Sequence, residues 1–318
     1  MTKTALSRRS FLVASTAALG TTALAQDATY TRASGARKGN PIAVSSYSYW
    51  QFSRTPSPID SCIDSAAKMG FDALEILERQ FTQTDDAYLM KLKRQALQAG
   101  IALCGLSTHQ GFMRSDAEYR QQNIDTTIRS IELAYKLGIP IIRVNTGTWG
   151  TSKDFDDLMA KRGIESPMEG YTDEDGFGWV VEAFEKILPT AEKCGVLVGL
   201  ENHWGLARTP EGLLRILNKV NSPWLQGLLD TGNFLEDPYD KLELVMPKTV
   251  YMHAKMYYGG GLWYTLDLDY ERIGAILRKF NYQGYVSLEF EGKESPDTAI
   301  PKSLELLRRT LYFQDALG

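Results

Sequence analysis

Four apolar runs in the second half of the chain each switch abruptly to ionisable side chains. Val196–Leu200 gives way to Glu201, Asn202 and His203, and WLQGLLDTGN reaches Asp230. TVYMHAKMY carries His253 and Lys255, and GYVSLEFEG carries Glu289 and Glu291. Short apolar runs of this kind suit strands buried on both faces, as in parallel sheets covered by helices. The first half repeats the pattern at Ile42–Tyr49, Phe71–Leu77, Ile101–Ser107 and Ile139–Asn145. Between these runs the spacing predicts helices over about Pro58–Lys68, Asp86–Ala99 and Asp116–Leu137. Gly70, Gly100, Gly138 and Gly195 each stand just before a strand, where a left-handed residue closes the last helical turn.

Strands starting near residues 42, 72, 101, 140, 196, 226, 249 and 285 alternate with helices, the signature of a single-domain (β/α)8 TIM barrel. A doubly wound open sheet is the structural alternative. Two connections are long for such a fold. One runs from Trp149 to about Gly176 and is polar and acidic; the other, Tyr257–Asp267, contains three glycines that suggest mobility. Loops of this length after a strand cap or shape a site, or serve as surface excursions or oligomer contacts.

The N-terminus changes where the domain begins. SRRSFL at Ser7–Leu12, a small-residue run and a closing Ala23-Leu24-Ala25 read as a twin-arginine signal over residues 1–25. A polar leader over 26–40 and a barrel over 41–318 follow, and the mature protein is expected to work in the periplasm or otherwise outside the cytoplasm. The apolar part of the signal is too short and too rich in Ala, Thr and Gly for stable membrane insertion. The 318 residues include 35 basic and 39 acidic side chains; losing Lys3, Arg8 and Arg9 leaves a net charge of −7. That balance excludes a nucleic-acid partner on charge grounds. Cys62, Cys104 and Cys194 lack zinc-site spacing and read as packing thiols, a disulfide between two of them being the alternative. A homo-oligomer is compatible with the sequence.

In a barrel, residues at the carboxyl ends of strands converge on one mouth. Glu201, Asp230, His253 and Glu289 are then candidates for one metal site: three carboxylates and an imidazole suit Mn²⁺ first, with Mg²⁺, Co²⁺ or Zn²⁺ as alternatives. Each alone could instead cap a helix. His109 is a candidate substrate or proton-relay residue, and His203, two positions beyond Glu201, is a candidate on the same side. Lys255 could contact a substrate oxygen or carbonyl. Glu75 could pair with Lys255 or bind hydroxyls. Trp50 and Trp149, like Trp204 and Trp263, follow strands, where they could stack on a ligand ring or pack the rim.

The array LENH, LLDTGN, HAK and LEFEG, in this order and spacing, resembles the xylose isomerase-like sugar phosphate isomerase/epimerase family over residues 41–318. The resemblance implies one divalent metal on Glu201, Asp230, His253 and Glu289, with Glu201 and Glu289 doubling as the acid/base pair, and a small sugar as substrate. Free-ketose epimerases of this family often carry a His shortly after the Asp. Here Asn233 stands in that region, still able to hydrogen-bond a hydroxyl. Members acting as apurinic endonucleases need many histidines, and this chain has three. The expected activity is isomerisation or epimerisation of an unphosphorylated sugar or keto-sugar by proton abstraction next to a carbonyl. A lyase or hydratase acting on 3-keto-sugars at the same metal, and a non-catalytic sugar-binding protein, are the alternatives.

Overall fold

The computed structural model describes residues 38–313, apart from 52 and 54. The signal expected at 1–25 and most of the expected leader lie outside the described residues. The order is β1 (Ile42–Ser45), α1 (Ile59–Met69), β2 (Ala73–Leu77), α2 (Asp86–Ala99), β3 (Ala102–Ser107), α3 (Ala117–Leu137) and β4 (Ile141–Val144). Then come α4 (Phe155–Ala160), α5 (Asp173–Cys194), β5 (Leu197–Glu201), α6 (Pro210–Val220), β6 (Leu225–Asp230) and α7 (Tyr239–Val245). The chain continues with β7 (Thr249–Met256), α8 (Tyr270–Lys279), β8 (Val286–Phe290) and α9 (Pro296–Thr310). Each strand pairs in parallel with its successor and β8 returns to β1, so the sheet closes as a TIM barrel and the open-sheet alternative falls.

The helices begin and end where local chemistry requires. Asp85, Asp116 and Asp269 accept hydrogen bonds from first-turn backbone N–H groups, and Thr172 with Asp175 makes a reciprocal cap on α5. The four expected terminal glycines all adopt positive φ, from +65° to +86°. On α1, Ile59, Cys62, Ile63 and Ala66 are buried at intervals of three and four, giving one face to the barrel. No helix among the described residues is long and apolar enough to cross a membrane.

Strand alternation sorts the side chains into two environments. Val198, Leu200, Leu229, Met252, Ala254 and Leu288 point outward and join the helices in one large core. Ala43, Ala73, Cys104, Ile141, Leu228 and Tyr251 form a separate apolar layer. Two residues beyond Leu228 and Tyr251 the same inward face carries Asp230 and His253, and β5 and β8 add Glu201 and Glu289 beside them. The register sets Asp230 beside His253 and Lys255 beside Glu289. The apolar layer is therefore the platform on which the charged residues stand. Cys62, Cys104 and Cys194 are free thiols, the first two buried.

Candidate active site

One ligand atom from each of Glu201, Asp230, His253 and Glu289 lies within 4.8 Å of the others, and all four residues are buried. His253 Nδ1 is 3.1 Å from Glu201, 3.5 Å from Glu289 and 3.8 Å from Asp230. Its other nitrogen, Nε2, lies 3.0 Å from Glu75. Glu75 also accepts from Ser107 and, at 3.2 Å, from Tyr251. Asp230 Oδ1 accepts the backbone N–H groups of Gly232 and Asn233, whereas its buried Oδ2 has no hydrogen-bond partner. Asn202 holds the Asp230 backbone from both sides, accepting from its N–H at 2.6 Å and donating to its carbonyl at 2.9 Å.

Two cations flank the cluster. Arg143 donates to Glu201 at 3.0 Å and to the Thr108 carbonyl at 2.7 Å, and lies 3.3 Å from His109 Nε2. Lys255 reaches Glu289 at 2.8 Å, Glu291 at 2.5 Å and Asp230 at 3.6 Å. Tyr47 donates to Glu291 at 2.8 Å. Burial opposes ionisation of Glu201, but Arg143, His203 and His253 outweigh it and hold its carboxyl well below the usual range. Burial, with Glu289 and Glu201 beside it, pushes Asp230 up to about 8. Burial would lower His253, yet Glu289, Glu75 and Glu201 hold it well above the ordinary histidine value.

These observations make the residues a good fit for a divalent cation. With all groups ionised, Glu75, Glu201, Asp230, Glu289 and Glu291 would outnumber the cations Arg143, Lys255 and His253 by two, and the raised Asp230 carboxyl registers that surplus of negative charge. Buried charge of one sign costs several kcal/mol per uncompensated ion. Ligand oxygens and nitrogens across an ion bound at 2.0–2.2 Å stand at most about 4.4 Å apart. The four atoms thus need only a small inward movement to form a shell, with Asp230 Oδ2 and His253 Nδ1 already aimed inward.

The cluster opens into a cavity of about 370 Å³. Arg143, His109, His203, Asn233, Lys255 and Glu289 contribute its polar lining, and Phe155, Met159, Trp204, Trp263 and Tyr264 its apolar wall. The sequence matches the xylose isomerase-like TIM barrel family over residues 63–310. The chain belongs to that family. Among solved structures this xylose isomerase-like barrel is similar to the E. coli 3-keto-D-glucoside 4-epimerase, with 19% identity and a TM-score of 0.65 over 85% of this chain and 99% of the other. It is also similar to the D-psicose 3-epimerase of Clostridium cellulolyticum H10, with 18% identity and a TM-score of 0.68 over the same shares. An L-ribulose 3-epimerase matches with 19% identity and a TM-score of 0.64 over 84% and 86% of the two chains. Comparison with curated proteins by sequence found no match.

Within this xylose isomerase-like barrel, several residues stand elsewhere than the sequence suggests. Glu75 does not reach Lys255 or the cavity; it lies beneath His253 because it sits deeper along the barrel, opposite Ser45 of β1. Trp149 turns away from the mouth, packing edge-on against Trp179 at 5.9 Å and donating to Asp173 at the start of α5. Trp50 packs with Tyr47 and Leu77 and is not among the described residues lining the cavity. Two glycines of the 257–267 loop answer close contacts, a Cβ standing 2.6 Å from the Glu294 backbone nitrogen at Gly259 and 1.6 Å from the Tyr264 carbonyl oxygen at Gly261, while Gly260 answers a φ of +86°. Arg143 escapes a reading by strand ends, although an arginine inside the apolar run IPIIRVN is its signal.

Proposed function

We propose that the protein is a divalent-metal-dependent isomerase or epimerase of an unphosphorylated keto-sugar. The observation that carries this reading is the buried Glu201–Asp230–His253–Glu289 cluster, open through Glu289 to a cavity with hydrogen-bonding side chains. When bound, a divalent ion would polarise neighbouring sugar oxygens and acidify the hydrogen on the carbon beside the carbonyl. Glu289 is placed to take that proton, with Lys255 fixing the orientation of its carboxylate. Glu201, from the opposite flank and held by Arg143, returns a proton to the carbon. Asn233, whose buried amide nitrogen lacks a partner, and His203 orient hydroxyls. Arg143 and Lys255 are already engaged by carboxylates, which disfavours a phosphate beside them. The likeness to the sugar epimerases described above supports the same chemistry.

A second reading, a lyase or hydratase, is favoured by one feature. Tyr47, Glu291 and Lys255 form a hydrogen-bonded string beside Glu289 that could carry a proton to a departing group. Product mass separates the two. With Mn²⁺-loaded protein and a panel of keto-sugars in D₂O, the first reading expects products unchanged in mass apart from incorporated deuterium. Loss or gain of water, or a missing substituent, would transfer the assignment to the second, and no conversion would favour a sugar-binding protein. Glu201→Gln, Asp230→Asn, His253→Ala and Glu289→Gln should each lower bound metal by elemental analysis; unchanged content in all four would refute the metal site. We further propose that the protein acts outside the cytoplasm; replacing Arg8 and Arg9 by Lys should then leave unprocessed chain inside, and normal processing would refute it.

A further inference from the structure

We propose that the cavity has a second compartment that takes a flat, apolar-faced substituent on the sugar, so that the substrate is a glycoside rather than a free ketose. This rests on the keto-sugar reading above and narrows its substrate class.

The cavity is divided by chemistry and by depth. Lys255, Asn233 and Glu289 lie at its base and are at most 7% exposed, whereas Phe155 and Trp263 at its rim are 47% and 37% exposed. Exposed apolar side chains that meet in one patch at the edge of a groove mark a surface that a ligand covers. Neither Phe155 nor Trp263 belongs to the cores that hold the barrel. They come from the β4–α5 and β7–α8 connections, and meet edge-to-face at 5.1 Å.

The wall behind them is built to stay in place. Trp204 is 5% exposed and packs against Gly163, where a Cβ would stand 2.2 Å from the indole ring. Tyr264 meets Trp204 edge-on at 6.5 Å and carries the Arg162 guanidinium over its face at 5.8 Å. Arg162 also pairs with Glu236, in the connection after β6. The connections after β4, β5, β6 and β7 thus together hold one aromatic surface beside the carboxylate cluster. A cavity of about 370 Å³ falls within the range of about 300–1,000 Å³ usual for small-molecule sites. A sugar bound at the base by its vicinal oxygens would leave this wall uncovered unless it carried a further group. The flat C–H face of a second pyranose and an aryl ring offer the same complement to aromatic side chains.

The test is calorimetric titration of Mn²⁺-loaded protein with methyl β-D-glucoside, phenyl β-D-glucoside and cellobiose. Contact with two aromatic faces, each worth about 0.5–1.5 kcal/mol, predicts that at least one of the larger glycosides binds about tenfold tighter than the methyl glucoside. Preference for phenyl glucoside alone identifies an aryl substituent, and preference for cellobiose alone a second sugar. In Trp263→Ala and in the Phe155→Ala/Trp263→Ala double variant, with melting temperatures checked, the affinity ratio should collapse towards one. Equal affinities in the wild type, no measurable binding, or a ratio that survives the double substitution would overturn the proposal. Methyl glucoside binding that persists unchanged after Mn²⁺ is stripped would instead refute metal-assisted sugar binding, leaving the aromatic preference to be judged by its own ratio.

Discussion

Replacing Glu75 by Gln removes one negative charge from beneath His253 while preserving side-chain length. Glu75 is 1% exposed, and its oxygens lie 3.0 and 3.1 Å from His253 Nε2. Burial would raise its pKa, but His253 and Ser107 outweigh this and lower it to about 2, so the carboxylate is charged at neutral pH. With metal on Nδ1, the Nε2–H donates to that carboxylate, orienting the ring and increasing its basicity as a ligand. Gln can accept the same hydrogen bond without the charge. The difference between a charge-assisted and a neutral hydrogen bond, about 1–1.5 kcal/mol, amounts to about a 5- to 12-fold loss of metal affinity. That agrees with the lower part of the range, about 10- to 100-fold, for loss of such partners in metal sites. Competition titration of Mn²⁺ against a chromophoric chelator measures it, with melting temperature as a control for folding. Glu291→Gln, on the far side of Lys255, should change Mn²⁺ affinity less. A well-folded Glu75→Gln variant with wild-type affinity would refute the argument that Glu75 supports His253 as a ligand.

Lys255→Met should lower the melting temperature of the metal-free protein, because removing one member of a buried ion pair costs about 3–5 kcal/mol. Added Mn²⁺ should raise it by more than in the wild type, since Lys255 and the ion compensate the same carboxylates; an equal Mn²⁺-induced shift measured by scanning fluorimetry would contradict this. Burial pushes the Cys62 thiol up to about 12 and raises Cys104 as well, so both stay protonated and unreactive at pH 8. Iodoacetamide should therefore label the native protein once, at partly exposed Cys194, and the denatured protein three times, as read by intact mass. Rapid triple labelling of the native state would show that the core opens.

The barrel was legible because an apolar run starts each strand, and at four of the junctions a left-handed glycine closing the preceding helix gives a second, agreeing signal. The inward position of Glu201, Asp230, His253 and Glu289 follows from alternation along strands that share one end. Depth within the barrel does not follow. Glu75 and Glu201 look alike in sequence, each being a carboxylate in an apolar strand, but strand offset places one beneath His253 and the other beside it. Residues beyond the strands are harder still, because the pleat no longer dictates their direction. Trp149 and Trp204 both follow strands, yet Trp149 is captured by α5 and Trp204 by the cavity wall. Arg143 was hidden by its apolar neighbours; an unmatched charge at an inward strand position is the cue that finds it.

The four candidate metal donors sit within strands or at their last residue, while the aromatic wall is carried by connections outside the barrel ladder. The parts that would perform the reaction are therefore tied to folding itself, and the parts that would choose the substrate are not. A lineage could exchange Phe155–Ala160 or the segment around Trp263 and acquire new preferences without reopening the problem of how the chain folds. For an engineer, the same division marks where a library should be placed: in the two connections, with the strand tips left untouched.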